Sequence, residues 1–284
     1  MVLPVVLYFA LFHYAPMYGA QIAFKNYVPA KGIFGSEWAG LDNFQQFFNS
    51  IYFWRVLKNT VLISLYELVL GFPAPIVLAL MLNEVRLAFF KRAVQTVVYI
   101  PHFISVVIVA GMAIDFFSLD GLVNQLLQPL GIGPLKFFMG PDWFRTIFVG
   151  SGIWQGVGWG SIIYLAAITS IDPTLYEAAK VDGAGRIKQI FHITIPGIAP
   201  TIIILFILNL GHFMSVGADK IILLYNPMMY DTADTISTFV YRKGLLEANY
   251  SFSAAVGLFN SVINFMLLLF ANKLSRSLTE TKLW

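Results

Sequence analysis

The sequence contains no cysteine among its 284 residues, and only 12% of its residues are charged. Without cysteine the chain can form no disulfide, thiolate zinc site or iron–sulfur cluster of its own. The charged fraction is about half of the roughly 25% that is typical of soluble domains. The net charge of +3 is small, and nucleic-acid binding needs basic residues clustered on one patch. These shortages argue against a soluble protein, a thiol enzyme and a nucleic-acid-binding protein.

Apolar residues are abundant instead. Hydrophobic residues make up 58% of the chain, and the mean hydropathy is +0.74. A helix needs roughly 20 apolar residues to cross about 30 Å of hydrocarbon, and the apolar runs here are continuous rather than alternating as in a membrane β-barrel. The sequence therefore predicts an all-α, polytopic membrane protein with a single transmembrane domain over 1–284 and six spans, at 2–24, 59–83, 93–118, 146–170, 197–216 and 252–271.

The density of basic residues predicts the orientation of these spans. The connections 84–92, 171–196 and 272–284 together carry 9 lysine and arginine residues in 48 positions, whereas the other connections, 25–58, 119–145 and 217–251, carry 9 in 96. Loops rich in lysine and arginine stay in the cytoplasm. We therefore expect the first set of connections and both termini to be cytoplasmic, in a multi-pass protein of a bacterial inner membrane.

The connection 171–196 has a sequence that predicts two short helices. Asp172 is suited to cap a helix that has Pro173 at its first position, and Gly183 can end that helix in the left-handed conformation. A second helix is expected from Arg186 to about residue 192, ended by Pro196 before the next span. Two helices that meet at a glycine turn would project from the membrane in a shape suited to docking in a partner's groove.

The same residues carry a family resemblance. Glu177, Ala178 and Ala179, then Gly183, and after nine further residues Ile193-x-Ile195-Pro196, resemble the EAA loop of ATP-binding-cassette importer permeases, in which leucine is usual where Ile195 stands. Other segments are similar to the sugar and oligosaccharide branch of that family, and in particular to the group that handles polysaccharide-derived sugars such as alginate. These segments are 12–19, 59–60, 73–84, 99–107, 154–168, 176–185, 224–227 and 255–265. The sequence Gly-Ala-Asp-Lys at 217–220 departs from the aromatic-acidic-glutamine pattern of that group.

The resemblance implies a type I importer permease of MetI-like architecture. The chain would form half of a carbohydrate pore and pair with a second permease subunit in a heterodimer within membrane lipid. Two cytoplasmic ATPase subunits would bind ATP and Mg²⁺, and an extracytoplasmic solute-binding protein would deliver the sugar. The chain itself would be no enzyme and hold no cofactor. The residues expected to contact the ATPase are Glu177, Ala178, Ala179, Asp182, Gly183, Ile193 and Pro196.

The absence of catalytic and nucleotide-binding motifs agrees with this interpretation. The sequence contains no GxxxxGK[ST], HExxH or Gly-x-Ser-x-Gly pattern. The four histidines lie in four different segments, so no metal site is expected. Gly152, Gly156 and Gly160 recur every four residues within one span, a spacing typical of close helix packing.

A sugar pathway needs hydrogen-bonding groups and aromatic faces in a wet cavity. The polar and aromatic residues within the spans are our candidates, although each could instead serve an interhelical hydrogen bond or lie at the membrane interface. If the substrate is a uronate polymer, Lys220, Arg242 and Lys243 are expected to gather it at the outer mouth, whereas a neutral sugar would depend on stacking against Trp159. The pathway candidates are Gln155, Trp159, Asn209, His212, Asn260 and Asn264.

The position of Glu67 within a span suggests an alternative function. A carboxylate within a membrane span is costly and is often functional. The chain could therefore be an ion-coupled secondary transporter that uses Glu67, although the hydropathy shows no inverted repeat of the kind common in such transporters. A hydrogen bond of Glu67 at a subunit interface is the simpler interpretation.

Overall fold

The computed structural model describes the backbone of residues 2–278 and the side chains of residues 2–273, and the fold is almost entirely helical. Strands β1 and β2 form a short antiparallel pair, with Lys25 opposite Trp38. Single helical turns connect some of the elements. In chain order the elements are α1 (Leu3–Phe24), β1 (Lys25–Asn26), β2 (Glu37–Trp38), α2 (Asp42–Phe48), α3 (Phe53–Glu84), α4 (Ala88–Phe103), α5 (Val106–Phe116), α6 (Leu122–Leu127), α7 (Phe144–Thr169), α8 (Pro173–Val181), α9 (Arg186–Leu210), α10 (Ala218–Leu224), α11 (Tyr230–Ala233), α12 (Ile236–Tyr241) and α13 (Tyr250–Leu278).

Most of the expected spans have a counterpart among these helices. Helices α1, α3, α9 and α13 are long and apolar enough to cross a membrane, and α4 with α5 makes a fifth span if the bent pair is counted as one. Helix α7 has 26 residues and is about 39 Å long, but its glycines, tryptophans and Gln155 make it less apolar. The all-α membrane fold is confirmed, and the exact count of six spans is not.

The third expected span, 93–118, is wrong as a single helix. Helices α4 and α5 meet at an angle of 101°, because Ile104 and Ser105, which follow a 3-10 turn at Ile100–Phe103, both adopt extended conformations. The Ser105 hydroxyl then accepts a hydrogen bond from the backbone N–H of Ile108 and caps α5. Most residues of the segment are apolar, so the composition from which a single span was predicted did not reveal the break.

The fifth expected span, 197–216, has different ends. Helix α9 already begins at Arg186, continues through Pro196 and ends at Leu210, so the prediction that Pro196 ends a separate short helix is wrong. A π turn at Ile190–Thr194 precedes the proline. The wider turn accommodates a residue that has no N–H and whose ring crowds the carbonyl four residues earlier.

Ion pairs mark two opposite ends of the helix bundle. At one end Arg186 pairs with Glu84 at 3.0 Å, which joins the start of α9 to the end of α3. At the other end Asp234 is fully buried and pairs with Arg55 at 3.0 Å and with Arg242 at 2.8 Å. The connections 84–92 and 171–196 therefore share one end, and 217–251 lies at the opposite end with the start of α3, as the loop pattern predicted.

Helix α7 packs centrally and uses glycine where the backbones approach most closely. A side-chain carbon at Gly158 would lie 2.0 Å from the Val98 carbonyl oxygen of α4, and one at Gly160 would lie 3.0 Å from the Pro75 ring of α3. Gly156 has open space instead. The predicted stripe of packing glycines is thus confirmed at Gly160 and wrong at Gly156, while Gly158 makes the tightest contact.

The contact at Gly158 gives a first prediction. Gly158→Ala should force α4 and α7 apart and destabilise the protein by about 1–3 kcal/mol, the usual cost of overpacking. The measurement is the thermal unfolding midpoint in detergent. Gly156→Ala is the matched control, because its methyl group enters open space. Equal midpoints for the two variants would contradict the close helix contact.

Candidate functional site

The loop 171–196 folds into the predicted helix and turn. The Asp172 carboxylate accepts a hydrogen bond of 2.9 Å from the backbone N–H of Thr174 and caps α8. Helix α8 ends at Val181, and Gly183 follows with φ +74°. Only glycine adopts this backbone conformation without strain. The predicted cap, first turn and glycine stop of this loop are confirmed.

Most of the residues expected to contact the ATPase lie on this projecting turn. Glu177, Ala178, Asp182 and Gly183 are exposed and Ala179 is half-buried. The other two are placed in α9 rather than in the loop: Ile193 is half-buried in the π turn, and the exposed Pro196 follows it.

Large apolar side chains are exposed in the same region. Val181 is 87% exposed and Ile187 is 72% exposed, and Leu175 and Phe191 are also exposed. Exposed apolar groups of this size, set among charged residues, are typical of a surface that binds another protein. This part of the chain is therefore a candidate interface.

Two contacts join this interface to the long helices. The Tyr176 hydroxyl and the Thr194 hydroxyl are 2.9 Å apart, which ties α8 to the π turn of α9. Arg186 bonds Glu84 at the end of α3. Movement of the loop would thus act directly on α9 and α3.

A polar cavity of about 380 Å³ lies between α3, α7 and α9. Its lining includes the Glu67 carboxylate, Asn209 and the faces of Gly152, Gly156 and Gly160. Within the described part of the chain Glu67 makes no hydrogen bond, and Lys220 is near enough for the two charges to attract. A carboxylate that makes no hydrogen bond with the described residues, beside a flat glycine surface, suits a ligand rich in hydroxyl groups.

The structure does not bring all the pathway candidates to this cavity. Asn209 lines it, but Gln155 and Trp159 lie on another face of α7. The Gln155 amide donates to the Ile104 carbonyl at 2.9 Å and supports the break between α4 and α5. Trp159 stacks on His102 with ring centroids 4.5 Å apart, and the tryptophan remains 48% exposed.

The remaining candidates lie in α9, in the turn that follows it, and in α13. His212 is exposed, with Nδ1 3.1 Å from the Leu208 carbonyl. The buried Asn264 accepts from the Met214 N–H and donates to the Ser215 hydroxyl, which fixes the turn after α9. Asn260 has a buried side-chain oxygen with no partner among the described residues. Asn264 thus serves the structure, and His212 is accessible to a ligand, whereas the unpaired oxygen of Asn260 is shielded within the chain.

The three basic residues expected at the outer mouth are buried or held in ion pairs. Lys220 is buried and donates from Nζ to the Phe148 carbonyl at 2.8 Å. Arg242 is held by Asp234, and Lys243 pairs with Glu247. None of the three is a free surface cation, so the expectation that they gather a polyanion is wrong.

Sequence reasoning missed the roles of His102 and Lys220. His102 follows Pro101, the residue at which α4 turns, and only the fold shows that it meets Trp159 four turns into α7. Lys220 is the one residue of 217–220 that the helix α10 turns inward. The departure from the family pattern at 217–220 was the only signal in the sequence.

Comparison with known proteins places the chain in a protein family. Residues 71–280 match the family model described as "Binding-protein-dependent transport system inner membrane component".

Curated relatives match over nearly the whole chain. The polygalacturonan/rhamnogalacturonan transport system permease protein YteP of Bacillus subtilis is 45% identical over 99% of this chain and 88% of its own length. Protein LplB of the same organism is 43% identical over 100% of this chain and 90% of its own length.

Solved structures are also similar to this chain. A chain of a bacterial ABC transporter involved in the import of the acidic polysaccharide alginate is 48% identical, with a TM-score of 0.92 over 98% of this chain and 94% of the other. A chain of the MetNI methionine ABC transporter is 15% identical with a TM-score of 0.55, and it shows the shared fold alone.

The cap of α8 gives a second prediction. The hydrogen bond from Thr174 lowers the pKa of the Asp172 carboxyl. The cap therefore stabilises α8 fully above the unfolded aspartate pKa of about 3.9 and is lost as the pH falls through the lower pKa of the folded state. At pH 7, Asp172→Ala should speed hydrogen exchange of the Thr174 and Leu175 amides severalfold.

Asp172→Asn is the matched control, since asparagine also caps helices and should retain most of the protection. Exchange rates that Asp172→Ala leaves unchanged would show that the cap does not hold α8.

Proposed function

This chain belongs to the family of inner-membrane components of binding-protein-dependent transport systems, and we propose that it forms half of the pore of an ATP-driven carbohydrate importer. The observation that carries the proposal is α8, an exposed helix whose Tyr176 hydroxyl bonds Thr194 of α9, while the start of α9 is joined to α3 by the bond from Arg186 to Glu84. Such a helix can convert an event in a bound protein into a movement of the pore.

The partner at α8 is proposed to be a cytoplasmic ATPase subunit. The exposed side chains of Leu175, Val181 and Ile187 would enter an apolar groove, and Glu177 and Asp182 would meet polar groups at its edge. ATP and Mg²⁺ would be bound by that subunit, with a second copy on the other half of the pore. This places α8 and both termini in the cytoplasm, in agreement with the positive-inside rule.

A second permease subunit is the proposed partner within the membrane. No residue in the most apolar window of α1 is buried by the rest of the chain, so this helix must be covered by lipid or by another subunit. The polar cavity is also open along one side between α3, α7 and α9. A second subunit would close the pore, and an extracytoplasmic binding protein would deliver substrate at the end opposite α8.

The proposed substrate is an oligosaccharide or polysaccharide that carries acid groups. Relatives named for polygalacturonan/rhamnogalacturonan and for alginate support this class. Glu67 and Asn209 would bind sugar hydroxyl groups, and the glycine surface would allow a sugar ring to lie close to the backbone. Trp159, Gln155, His212 and Asn260 would serve the path toward the second subunit. No comparison supports the ion-coupled alternative for Glu67.

The coupling proposal predicts that Gly183→Val abolishes substrate-stimulated ATP hydrolysis in the assembled complex. Valine resists a φ of +74°, and since the surrounding space is open the change acts on the turn rather than on packing. Gly185→Val is the matched control, because Gly185 lies in open space with φ −68° and ψ 168°, a conformation valine accepts.

Glu177→Lys, which reverses a charge at the same interface, should also reduce the stimulation. Both variants should reach the membrane in normal amounts. Full stimulation in Gly183→Val and Glu177→Lys would remove α8 from the mechanism.

The pathway proposal predicts that Gly156→Leu blocks uptake of oligosaccharide by reconstituted vesicles at least tenfold, because the leucine would fill the polar cavity. Gly257→Leu is the matched control, since Gly257 also has open space around it but lies in α13, away from the cavity. Comparison of acidic with neutral oligosaccharides would identify the substrate class.

Trp159→Ala and His212→Ala test whether the proposed substrate path continues from the polar cavity toward the second subunit. Each should weaken uptake less than Gly156→Leu does. Full uptake in all three variants would place the pathway on other faces of these helices.

A further inference from the structure

A second and larger cavity lies on the opposite side of α7. It has a volume of about 680 Å³, is bordered by α5, α6, α7 and the segment 132–137, and is open on one side. No charged side chain is among its lining residues, and buried Val109, Phe137 and Ile147 form its inner wall. The cavity is therefore chemically unlike the polar one proposed for the substrate.

An apolar cavity of this size is poorly suited to water, because a bound water needs two to four polar partners. Since the cavity is open on one side, membrane lipid can enter it. Ser151 is one of only two hydroxyl groups in the lining, and it already donates to the Ile147 carbonyl. A hydrocarbon chain is the occupant that matches this apolar lining.

The dimensions of the cavity match one leaflet of a bilayer. Its lining on α7 runs from Trp143 at the start of the helix to Trp154, a rise of about 16 Å along the axis. Half of the hydrocarbon core is about 15 Å thick. Trp143, at the outer end of this lining, is 40% exposed, and tryptophan is enriched where membrane meets water.

We propose that this cavity binds one acyl chain of a membrane lipid, taken from the leaflet at the end opposite α8. An apolar side chain of a second subunit would reach only a few ångströms into the space, whereas an acyl chain matches its full depth. The lipid would fill the gap between α5 and α7 and hold the bent α4–α5 pair in place. The site is separate from the proposed carbohydrate path.

Photo-crosslinking tests the proposal on the assembled complex. The complex is reconstituted in phosphatidylcholine vesicles in which a fraction of the lipid carries a diazirine within one acyl chain, and labelled residues are identified by mass spectrometry after illumination. We expect label on Val109, Phe137 and Ile147, which bulk lipid cannot reach because they are buried. Label on exposed Val69 of α3 reports contact with bulk lipid.

Gly150→Leu supplies the matched variant, because Gly150 lines the cavity and has open space around it. It should reduce labelling of the three buried residues at least tenfold and leave Val69 unchanged. Absence of label on the buried residues of the wild-type complex would overturn the proposal, as would labelling that Gly150→Leu leaves intact. Either result is independent of uptake, so the importer function would stand.

Discussion

The fold depends on one requirement, that every backbone N–H and C=O at membrane depth finds a partner within the protein. Straight helices meet it unaided, but this chain departs from straight helices in several places. Where α4 ends, the Gln155 amide bonds the free Ile104 carbonyl and the Ser105 hydroxyl caps α5. A bend of 101° is thus stable in a setting that offers no water.

The same requirement accounts for other polar residues in apolar surroundings. Lys220 bonds the Phe148 carbonyl, Asn264 accepts from the Met214 N–H, and the Ser64 hydroxyl bonds the Phe213 carbonyl. These side chains stabilise the turn after α9 and the packing of α10. The Glu67 carboxylate makes no hydrogen bond with the described residues, so it is a polar group that remains available to a ligand.

Sequence patterns predicted what depends on local chemistry. The Asp172 cap, the Gly183 turn and the apolar helices follow from near neighbours in the chain, and the structure agrees with them. The sequence predicted a single straight span where the chain bends after Pro101, and it predicted a helix end at Pro196 where the helix continues. Both predictions were wrong, because a proline in an apolar segment permits a break, a π turn or a simple continuation. The burial of Lys220 depends on contacts with α7, which is more than 50 residues away in sequence.

The continuity of α9 has a mechanical consequence. Its 25 residues run unbroken from the Arg186–Glu84 pair to Leu210, and a helix of that length measures about 37 Å. A lever of this kind magnifies small rotations: a tilt of about 10° about its α8 end would carry the far end sideways by about 6 Å. That displacement exceeds the radius of a helix backbone, so a modest swing at one membrane surface is enough to open or close a passage at the other.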